Sequence, residues 1–373
     1  MKKKTAKTLT FFLPNYGDGG LERMFVNLAT EISTRGFKVY FIVGDLNKPY
    51  LCDLPEQVEL IELATTAFAS RVKEMSYHLD NKNPDAVLTA RELGLPIALK
   101  AKKRSTSPVK VFYRAVTNIT ASLSRRHWLK RIRGKFQQRQ LKEWYQQADG
   151  IIAVSQGIAE DVHRISNIPL SDIHVAHNPV VSPAMLARAE QAFTHNWFAE
   201  GQPPVILGVG RFTRQKNFEL LIKAFSKVRL QRKARLIILG DGARKEKFMS
   251  MAHDLGIADD VLLPGFDPNP YTYLRHAALF VLSSNWEGSP NVLTEALAIG
   301  CPVVSTDCPS GPRETLQDGK YGPLVPMDDE DTMTQAIIET LEHPLDRATL
   351  QQAAAPFHMA ASADEYLAAM GLK

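Results

Sequence analysis

The residues Phe280–Leu316 read FVLSSNWEGSPNVLTEALAIGCPVVSTDCPSGPRETL. The apolar run Ala278–Leu282 predicts a buried parallel strand, and a polar, glycine-containing turn leads from it into Val292–Ile299, which has helical character. Cys301–Ser305 is again typical of a strand. The stretch therefore predicts one strand–loop–helix–strand unit of a parallel α/β sheet.

The turn in this unit has the features of an anion site. Ser289 is expected to cap the helix, and Pro290 fits the first helical position, where its missing N–H has no consequence. The amides of Asn291 and Val292 would then point out of the positive end of the helix.

Two carboxylates bracket this site. Glu287 comes just before it, and Glu295 lies four residues after Asn291 on the same helix face. A ligand that carries both phosphates and sugar hydroxyls would suit this combination.

Length and composition limit the class of protein. The chain has 373 residues, of which 45% are hydrophobic and 23% charged, as expected for two soluble globular domains. No apolar run reaches the roughly 18 residues of a membrane span, and the basic start lacks an export core and a cleavage site. We therefore expect a cytoplasmic protein. The three cysteines, Cys52, Cys301 and Cys308, are odd in number and irregular in spacing, which disfavours a disulfide framework or a zinc site.

Strands alternate with helices through both halves of the chain. A first strand at Thr8–Leu13, a glycine loop at Asn15–Gly20 and a helix at Leu21–Arg35 form the start of a Rossmann-like unit. The loop glycines lack the G-x-G-x-x-G spacing that a nicotinamide oxidoreductase requires. Further strands are predicted at Lys38–Val43, Val58–Ile61, Ala86–Leu88, Lys110–Tyr113 and Gly150–Val154. After an irregular, proline-containing stretch at 180–204, where we place the domain boundary, a second series is predicted at Val205–Val209, Leu236–Leu239, Val261–Leu263, Leu279–Leu282 and Pro302–Ser305.

Other strand ends in the second half carry further candidate residues. Arg211 follows a buried strand and Lys216 lies five residues later, so the two cations could clamp a diphosphate. Gly240-Asp241-Gly242 is interpreted mainly as turn chemistry. Gly265 and Phe266 close another strand, where they either meet a flat base or serve only as turn and core.

Basic residues are concentrated in one block. Between Glu92 and Glu143 the chain has no acidic residue, and apolar residues are interleaved with the bases. We interpret the block as binding an anionic membrane surface or a phosphate-bearing acceptor, with a merely solvated helix as the alternative. No nucleic-acid motif accompanies it, so we expect no nucleic-acid partner. The residues assigned to acceptor or membrane contact are Arg114, Arg125, Arg126, Lys130, Arg131 and Arg133.

Taken together, the ordered motifs resemble the retaining GT-B glycosyltransferases of family 4, which use nucleotide-diphosphate sugars. The resemblance rests on Gly19-Gly20, His177-Asn178-Pro179, Gly210-Arg211 with Lys216, Gly240-Asp241-Gly242 and the Glu-x7-Glu spacing of Glu287 and Glu295. It extends over nearly the whole chain. It implies an α/β fold of the GT-B type, with two Rossmann-like domains facing each other across a cleft. The expected domains are 1–180 for the acceptor, 181–350 for the donor, and a C-terminal helix in 351–373 that crosses back to the first domain.

The resemblance also implies residue roles. Arg211 and Lys216 would hold the donor diphosphate and stabilise the leaving phosphate, Glu287 would face the donor sugar, and Glu295 would bind the ribose. Of these, Glu287, Arg211 and Lys216 are the candidate catalytic residues. The other implied donor-binding residues are Gly19, Gly20, Gly265, Phe266, Gly288, Ser289, Pro290, Asn291 and Val292.

The implied reaction moves a hexose or N-acetylhexosamine from a UDP-sugar to a glycan or lipid-linked acceptor, with retention of configuration. The UDP-sugar is a co-substrate, and neither a cofactor nor a metal is expected. A bacterial pathway for lipopolysaccharide O-antigen, capsule or another surface glycan would suit such an enzyme, peripheral on the inner face of the cytoplasmic membrane.

One feature departs from the expected pattern. Many family members carry a histidine after the strand at Lys110–Tyr113, whereas here either Arg114 or Asn118 fills that space or the donor pocket differs. Asp329-Glu330-Asp331 has the D-x-D form of metal-dependent transferases, but acids are favoured at a helix start in any case. His177, within the hinge motif, is given a structural role.

Three other classes are weighed against the transferase. A nucleotide-sugar 2-epimerase shares the architecture, but it needs no acceptor and would leave the basic block unexplained. A nicotinamide oxidoreductase lacks its glycine motif here. A non-catalytic binding protein of the same fold would account for the missing histidine.

Overall fold

The computed structural model describes residues 6–17, 19–124 and 138–373. The chain divides into two compact units. The first comprises Met1–Val180 together with Met359–Lys373, and the second comprises Val181–His358. The last residues of the chain therefore belong to the first unit.

The first unit contains a seven-stranded sheet in the order β3-β2-β1-β4-β5-β6-β7, with every neighbouring pair parallel. Its strands are β1 Thr8–Leu13, β2 Lys38–Val43, β3 Val58–Glu62, β4 Ala86–Thr89, β5 Lys110–Ala115, β6 Gly150–Ala153 and β7 Ile173–Val175. Its helices include α1 Gly20–Thr34, α2 Phe68–Lys82, α3 Arg91–Arg104, α4 Ile119–Ser124 and α5 Gln156–Ser166, and residues 138–145 are helical as well.

The central strand β1 shows why this sheet is covered on both faces. Successive side chains of a strand point to opposite faces. Phe11 belongs to a core cluster with Phe25 of α1, whereas Phe12 belongs to a second cluster with Val72 of α2. All four residues are at most 2% exposed. The last three residues of β1, Phe11, Phe12 and Leu13, are therefore apolar and buried between two helical layers.

The second unit contains a six-stranded parallel sheet in the order β10-β9-β8-β11-β12-β13. Its strands are β8 Val205–Val209, β9 Arg235–Leu239, β10 Val261–Gly265, β11 Leu279–Leu282, β12 Val303–Thr306 and β13 Leu324–Val325. Its helices include α6 Pro183–Ala189, α7 Phe218–Gln231, α8 Lys245–Asp254, α9 Pro270–His276, α10 Asn291–Ile299, α11 Pro312–Thr315, α12 Glu330–Glu342 and α13 Arg347–Ala353.

Each sheet has one topological switch point. In the first sheet the chain moves outward from β1 through β2 to β3 and then returns to place β4 on the other side of β1. In the second sheet β8 and β11 have the same relation. Loops at the carboxyl ends of two such strands diverge to opposite faces, which leaves a crevice where ligands of α/β proteins bind.

The predicted strands are all present within about one or two residues of their predicted ends. The sequence missed β7 and β13, which are three and two residues long. Strands this short lack the apolar run on which the predictions rest. The first helix begins at Gly20, one residue before its predicted start.

The last helix, α14 Met359–Ala369, is anchored in the first unit by two polar contacts. The backbone N–H of His177 donates to a carboxylate oxygen of Glu365 at 2.7 Å, and the imidazole Nδ1 lies 3.0 Å from the same carboxylate. This geometry fits the structural role predicted for His177.

Arg114 corrects one prediction. It was assigned to acceptor or membrane contact, but it is only 2% exposed. Its Nε donates to the hydroxyl of Tyr366 in α14 at 2.6 Å, and its guanidinium also hydrogen-bonds Asn178. As the penultimate residue of an internal strand, Arg114 points into the layer of α1 and α14 rather than to the surface. Asn118 likewise has a local role, since its side chain accepts the N–H of Ala121 at the start of α4.

The other residues assigned to the membrane surface, Arg125, Arg126, Lys130, Arg131 and Arg133, lie outside the described residues. Among the helices that are described, none combines the length and the apolar character needed to cross a bilayer.

Candidate active site

The predicted catalytic residues and the two carboxylates follow the strands at the switch point of the second sheet. Arg211 and Lys216 follow β8, whereas Glu287 and the start of α10 follow β11. These segments are about 70 positions apart in sequence, but β8 and β11 are neighbouring strands. The parallel pairing places both loops at the same edge of the sheet.

Two glycines allow the loops at this edge to pack closely. Gly210 has φ +152, and a Cβ there would lie 3.0 Å from the Lys216 side chain. Gly240 has φ +138, and a Cβ there would lie 1.9 Å from the carbonyl oxygen of Gly210. The end of β9 can therefore approach the end of β8 only without a side chain. The Gly240-Asp241-Gly242 motif serves this packing, consistent with its interpretation as a turn.

Lys216 and Glu287 form a largely buried ion pair at the centre of the site. The Nζ of Lys216 lies 2.7 Å from Oε1 of Glu287, with side-chain exposures of 18% and 8%. The hydroxyl of Ser284 donates to the same oxygen at 2.6 Å. Gln215 Nε2 lies 3.4 Å from the other carboxylate oxygen. A carboxylate held by several donors keeps one orientation, so it can act as a fixed acceptor for sugar hydroxyls.

Backbone hydrogen bonds join the two loops that carry this pair. The N–H of Asn285 donates to the carbonyl of Gln215 at 2.7 Å, and its side chain donates to the carbonyl of Arg214 at 2.7 Å. The hydroxyl of Ser283 donates to the carbonyl of Lys216 at 2.8 Å. The position of Lys216 therefore depends on residues that follow a different strand.

The start of α10 differs by one residue from the prediction. The helix begins at Asn291, and Pro290, not Ser289, is the N-cap residue, with ψ 97 and no side-chain capping bond. A Cβ at Gly311 would lie 2.6 Å from Cδ of Pro290, so the following loop packs closely against the proline ring. This packing holds Pro290 outside the helix. Asn291 and Val292 are thus its first two residues. Their N–H groups lie in the first turn, where no helix carbonyl is in position to accept them.

Glu295, the second carboxylate, lies in α10 and is 5% exposed. The hydroxyl of Tyr271 in α9 lies 3.5 Å from its Oε1. Glu287 thus lies in the loop after β11, and Glu295 lies in the helix that follows this loop.

The remaining predicted donor residues have different surroundings. Arg211 is exposed at the end of β8. Gly265 ends β10, and its carbonyl accepts the N–H of Gly240 at 2.8 Å. Phe266 is 71% exposed, so it is not a core residue and a planar ligand can reach its ring.

In the first unit, Gly19 and Gly20 lie at the switch point of the other sheet. Gly19 is the N-cap of α1, and Gly20 is its first residue. The side chain of Glu22 accepts the amide N–H of Gly17 at 3.0 Å and that of Gly19 at 3.2 Å. Sequence reasoning missed Glu22, although a glutamate three residues after a helix cap is a capping-box signal.

Cys308 is another residue near the ion pair that the sequence did not single out. Burial raises the pKa of its thiol far above the ordinary range, and the charge of Glu287 raises the pKa further. The thiol is therefore a neutral group beside the carboxylate at neutral pH. Only the packing of the 308–311 loop could reveal this proximity.

The Asp329–Asp331 segment has its own local partners. Asp329 caps α12 by accepting the N–H of Thr332 at 2.9 Å. Glu330 and Asp331 pair with Lys223 and Lys227 of α7, each at 2.7 Å. These contacts account for the acidic run as a helix start with ion pairs.

Comparisons with known proteins match this architecture. The family model described as "Glycosyltransferase Family 4" matches residues 18–182, and "Glycosyl transferases group 1" matches residues 190–356. The chain is 28% identical to an N-acetylgalactosamine-N,N'-diacetylbacillosaminyl-diphospho-undecaprenol 4-alpha-N-acetylgalactosaminyltransferase of Campylobacter jejuni, over 90% of each chain. It is 27% identical to a lipopolysaccharide 1,6-galactosyltransferase of Salmonella typhimurium, over 83% of this chain and 82% of the relative. The solved structure of Anabaena HepE in complex with UDP and glucose superposes with a TM-score of 0.74 at 17% identity, over 98% of this chain and 99% of HepE.

Two doubly wound parallel sheets in two units match the GT-B fold. The family models and the named relatives identify the chain as a glycosyltransferase, an enzyme of the hexosyltransferase class. The two family models together span most of the chain. The chain belongs to the family 4-like glycosyltransferases of the GT-B fold. These similarities give no support to the epimerase alternative.

Proposed function

We propose that this glycosyltransferase transfers a hexose or an N-acetylhexosamine from a UDP-sugar, with retention of configuration, to a lipid-linked or surface-glycan acceptor. The observation that carries the proposal is the Lys216–Glu287 ion pair beside the N-terminus of α10, because it unites a cation, a fixed carboxylate and a positive helix end.

Each residue of the site has a proposed part in donor binding. Arg211, exposed at the strand end, and Lys216 contact the diphosphate of the donor. Glu287 accepts hydrogen bonds from hydroxyls of the donor sugar, and Glu295 accepts those of the ribose. The start of α10 faces a phosphate or sugar hydroxyls, and Phe266 at the end of β10 offers a flat surface for the base.

The proposed reaction breaks the bond between the anomeric carbon and the UDP oxygen and forms a bond from the acceptor oxygen to the same face of that carbon. The departing phosphate takes the proton of the acceptor hydroxyl. Arg211 and Lys216 stabilise the negative charge that develops on UDP, which lowers the barrier by electrostatics. This assignment requires no metal.

UDP is the proposed nucleotide because the HepE structure of the same fold contains UDP. The acceptor proposal is supported by the two relatives, whose names specify a diphospho-undecaprenol-linked sugar and a lipopolysaccharide. A membrane-linked acceptor would suit a peripheral location on the inner face of the cytoplasmic membrane.

A donor screen tests the function. The purified chain is incubated with UDP- and GDP-sugars, with and without a lipid-linked glycan acceptor, and nucleotide release is measured. UDP release that increases with acceptor supports the proposal, and the anomeric proton coupling of the product reports retention. Interconversion of the UDP-sugar without acceptor, or release only from GDP-sugars, would contradict it.

Vesicle binding tests the membrane contact separately. Binding to vesicles that contain phosphatidylglycerol should weaken as salt rises, because screening reduces the attraction between basic side chains and anionic lipids. Absence of binding, or binding that salt does not change, would favour a basic segment that is merely solvated.

A further inference from the structure

A second ion pair lies at the switch point of the first sheet. Glu22 is the third residue of α1, behind the loop that follows β1, and Arg91 is the first residue of α3, just behind β4. These residues are 69 positions apart, and the pairing of β1 with β4 brings them together. The Nη2 of Arg91 donates a hydrogen bond to Oε1 of Glu22.

The two partners differ in burial. The Glu22 side chain is 0% exposed, whereas that of Arg91 is 40% exposed. Glu22 also accepts hydrogen bonds from the amides of Gly17 and Gly19, so both oxygens of its carboxylate have partners within the protein. Glu22 therefore fixes both the glycine loop and the guanidinium, and the guanidinium is the member of the pair that a ligand can reach.

Polar groups beside the pair have no partner among the described residues. They are the Nε atom of Arg91, whose side chain is partly exposed, and the hydroxyl of Tyr16, a core residue whose neighbouring charges are those of Glu22 and Asp53. Burial raises the pKa of Tyr16, and the charge of Glu22 raises it further, so the hydroxyl keeps its proton and can donate it. Buried polar groups normally have hydrogen-bond partners, so the partly exposed guanidinium of Arg91 has a donor left over for an acceptor from outside the protein.

The same edge of the sheet carries additional positive charge. Arg71 donates to Asn15 Oδ1 at 2.8 Å, just behind β1. Arg114, at the end of β5, has Tyr366 and Asn178 as partners. Among the described residues, neither arginine forms an ion pair with a carboxylate. Arg91, Arg71 and Arg114 thus bring three guanidinium groups to this edge, where the buried carboxylates of Glu22 and Asp161 already accept backbone N–H groups.

We propose that Arg91, positioned by Glu22, is a phosphate-binding residue of the first unit. The planar fork of a guanidinium matches phosphate oxygens, and Glu22 holds this fork in one orientation. The inference rests on the proposed function, in which phosphate comes either from the donor nucleotide or from the linkage of a lipid-linked acceptor.

Two titrations test this role and distinguish the sources. The full chain is titrated with UDP, and the chain saturated with UDP is titrated with farnesyl diphosphate, with farnesol as the neutral probe. Arg91→Gln should lower the affinity for at least one of the two phosphate probes by about tenfold or more, which is the usual effect of losing a charge-assisted contact. Arg91→Lys should lower the affinity for the same probe less, because the positive charge remains and only the planar guanidinium geometry is lost. Farnesol binding should not change.

The matched control is Arg164→Gln. Arg164 lies near the end of α5, at the opposite edge of the same sheet, and its side chain is 63% exposed. Thermal unfolding of each variant shows whether the fold is retained.

Glu22→Gln tests the positioning role. It should weaken binding of the same probe several-fold in a variant that is still folded at the assay temperature, although its melting temperature falls because charge-assisted bonds to Gly17 and Gly19 are weakened. It should add little to the loss of binding when Arg91→Gln is already present, because the two residues act as one unit.

Loss of farnesyl diphosphate binding alone assigns the contact to the acceptor, and loss of UDP binding alone assigns it to the donor. Wild-type affinity of folded Arg91→Gln for both probes would overturn the proposal. Both readouts are independent of turnover, so they remain decisive even if no UDP-sugar is a substrate.

Discussion

Replacing Lys216 and Glu287 one at a time should change UDP binding in opposite directions. Lys216→Met removes the cation assigned to the diphosphate, so UDP binding should weaken. Glu287→Gln removes a negative charge 2.7 Å from Lys216 but keeps the side-chain shape, so UDP should bind as tightly as before or tighter. Sugar transfer should fall in both variants, because Glu287 is assigned to the donor sugar.

The structure limits the size of these effects. Both side chains are less than one fifth exposed, so solvent screens the pair only weakly. In Lys216→Met the carboxylate of Glu287 keeps the hydroxyl of Ser284 at 2.6 Å. We therefore expect the free energy of unfolding to fall by about 2–3 kcal/mol, below the roughly 3–5 kcal/mol typical of a buried charge left without its partner. The loss of one charged contact should weaken UDP binding by roughly 10- to 100-fold.

Isothermal titration with UDP, urea unfolding and donor turnover measure the three quantities on the same samples. The double variant Lys216→Met/Glu287→Gln completes a double-mutant cycle, and it should be more stable than Lys216→Met alone because no buried charge remains unpaired. Wild-type UDP affinity in Lys216→Met, or a Glu287→Gln variant that binds UDP much more weakly, would refute the assigned roles.

Three further predictions concern other residues. Glu295→Ala should reduce donor turnover at least about tenfold, or about 1.4 kcal/mol, through loss of the ribose contact; unchanged steady-state kinetics would contradict this role. Arg114→Met should lower the free energy of unfolding in urea by about 2 kcal/mol, because it removes the hydrogen bond to Tyr366. Vesicle binding should stay unchanged. A loss of vesicle binding without a loss of stability would show that Arg114 contacts the membrane after all. Burial lowers the pKa of His78 to about 4, so the unfolded chain binds the extra proton first and stability should fall by roughly 3 kcal/mol as pH drops from about 6.5 to 4. His78→Gln should flatten that part of the pH profile of unfolding, and an unaltered slope would show that another group is responsible.

Local sequence patterns were sufficient to predict most of the strands and the class of fold. The runs Thr8–Leu13 and Val205–Val209 have the predicted bounds, because a strand buried on both faces is mainly apolar. The buried polar residue of the first run, Thr10, has a hydrogen-bond partner in His78. The Glu-x7-Glu spacing placed Glu287 and Glu295 in one loop–helix segment, since both belong to the same unit of structure.

The site as a whole depended on strand order, which no local pattern specifies. Lys216 meets Glu287 only because β8 and β11 pair, and Arg91 meets Glu22 only because β1 pairs with β4. The burial of Arg114 likewise required the helix 252 positions later that packs over it. The sequence by itself determined which residue types end each strand, whereas the tertiary structure alone decided which strand ends are neighbours. The reason is physical: apolar burial and backbone pairing form each strand locally, but the order of strands in a sheet is set by long-range packing of the helices that connect them.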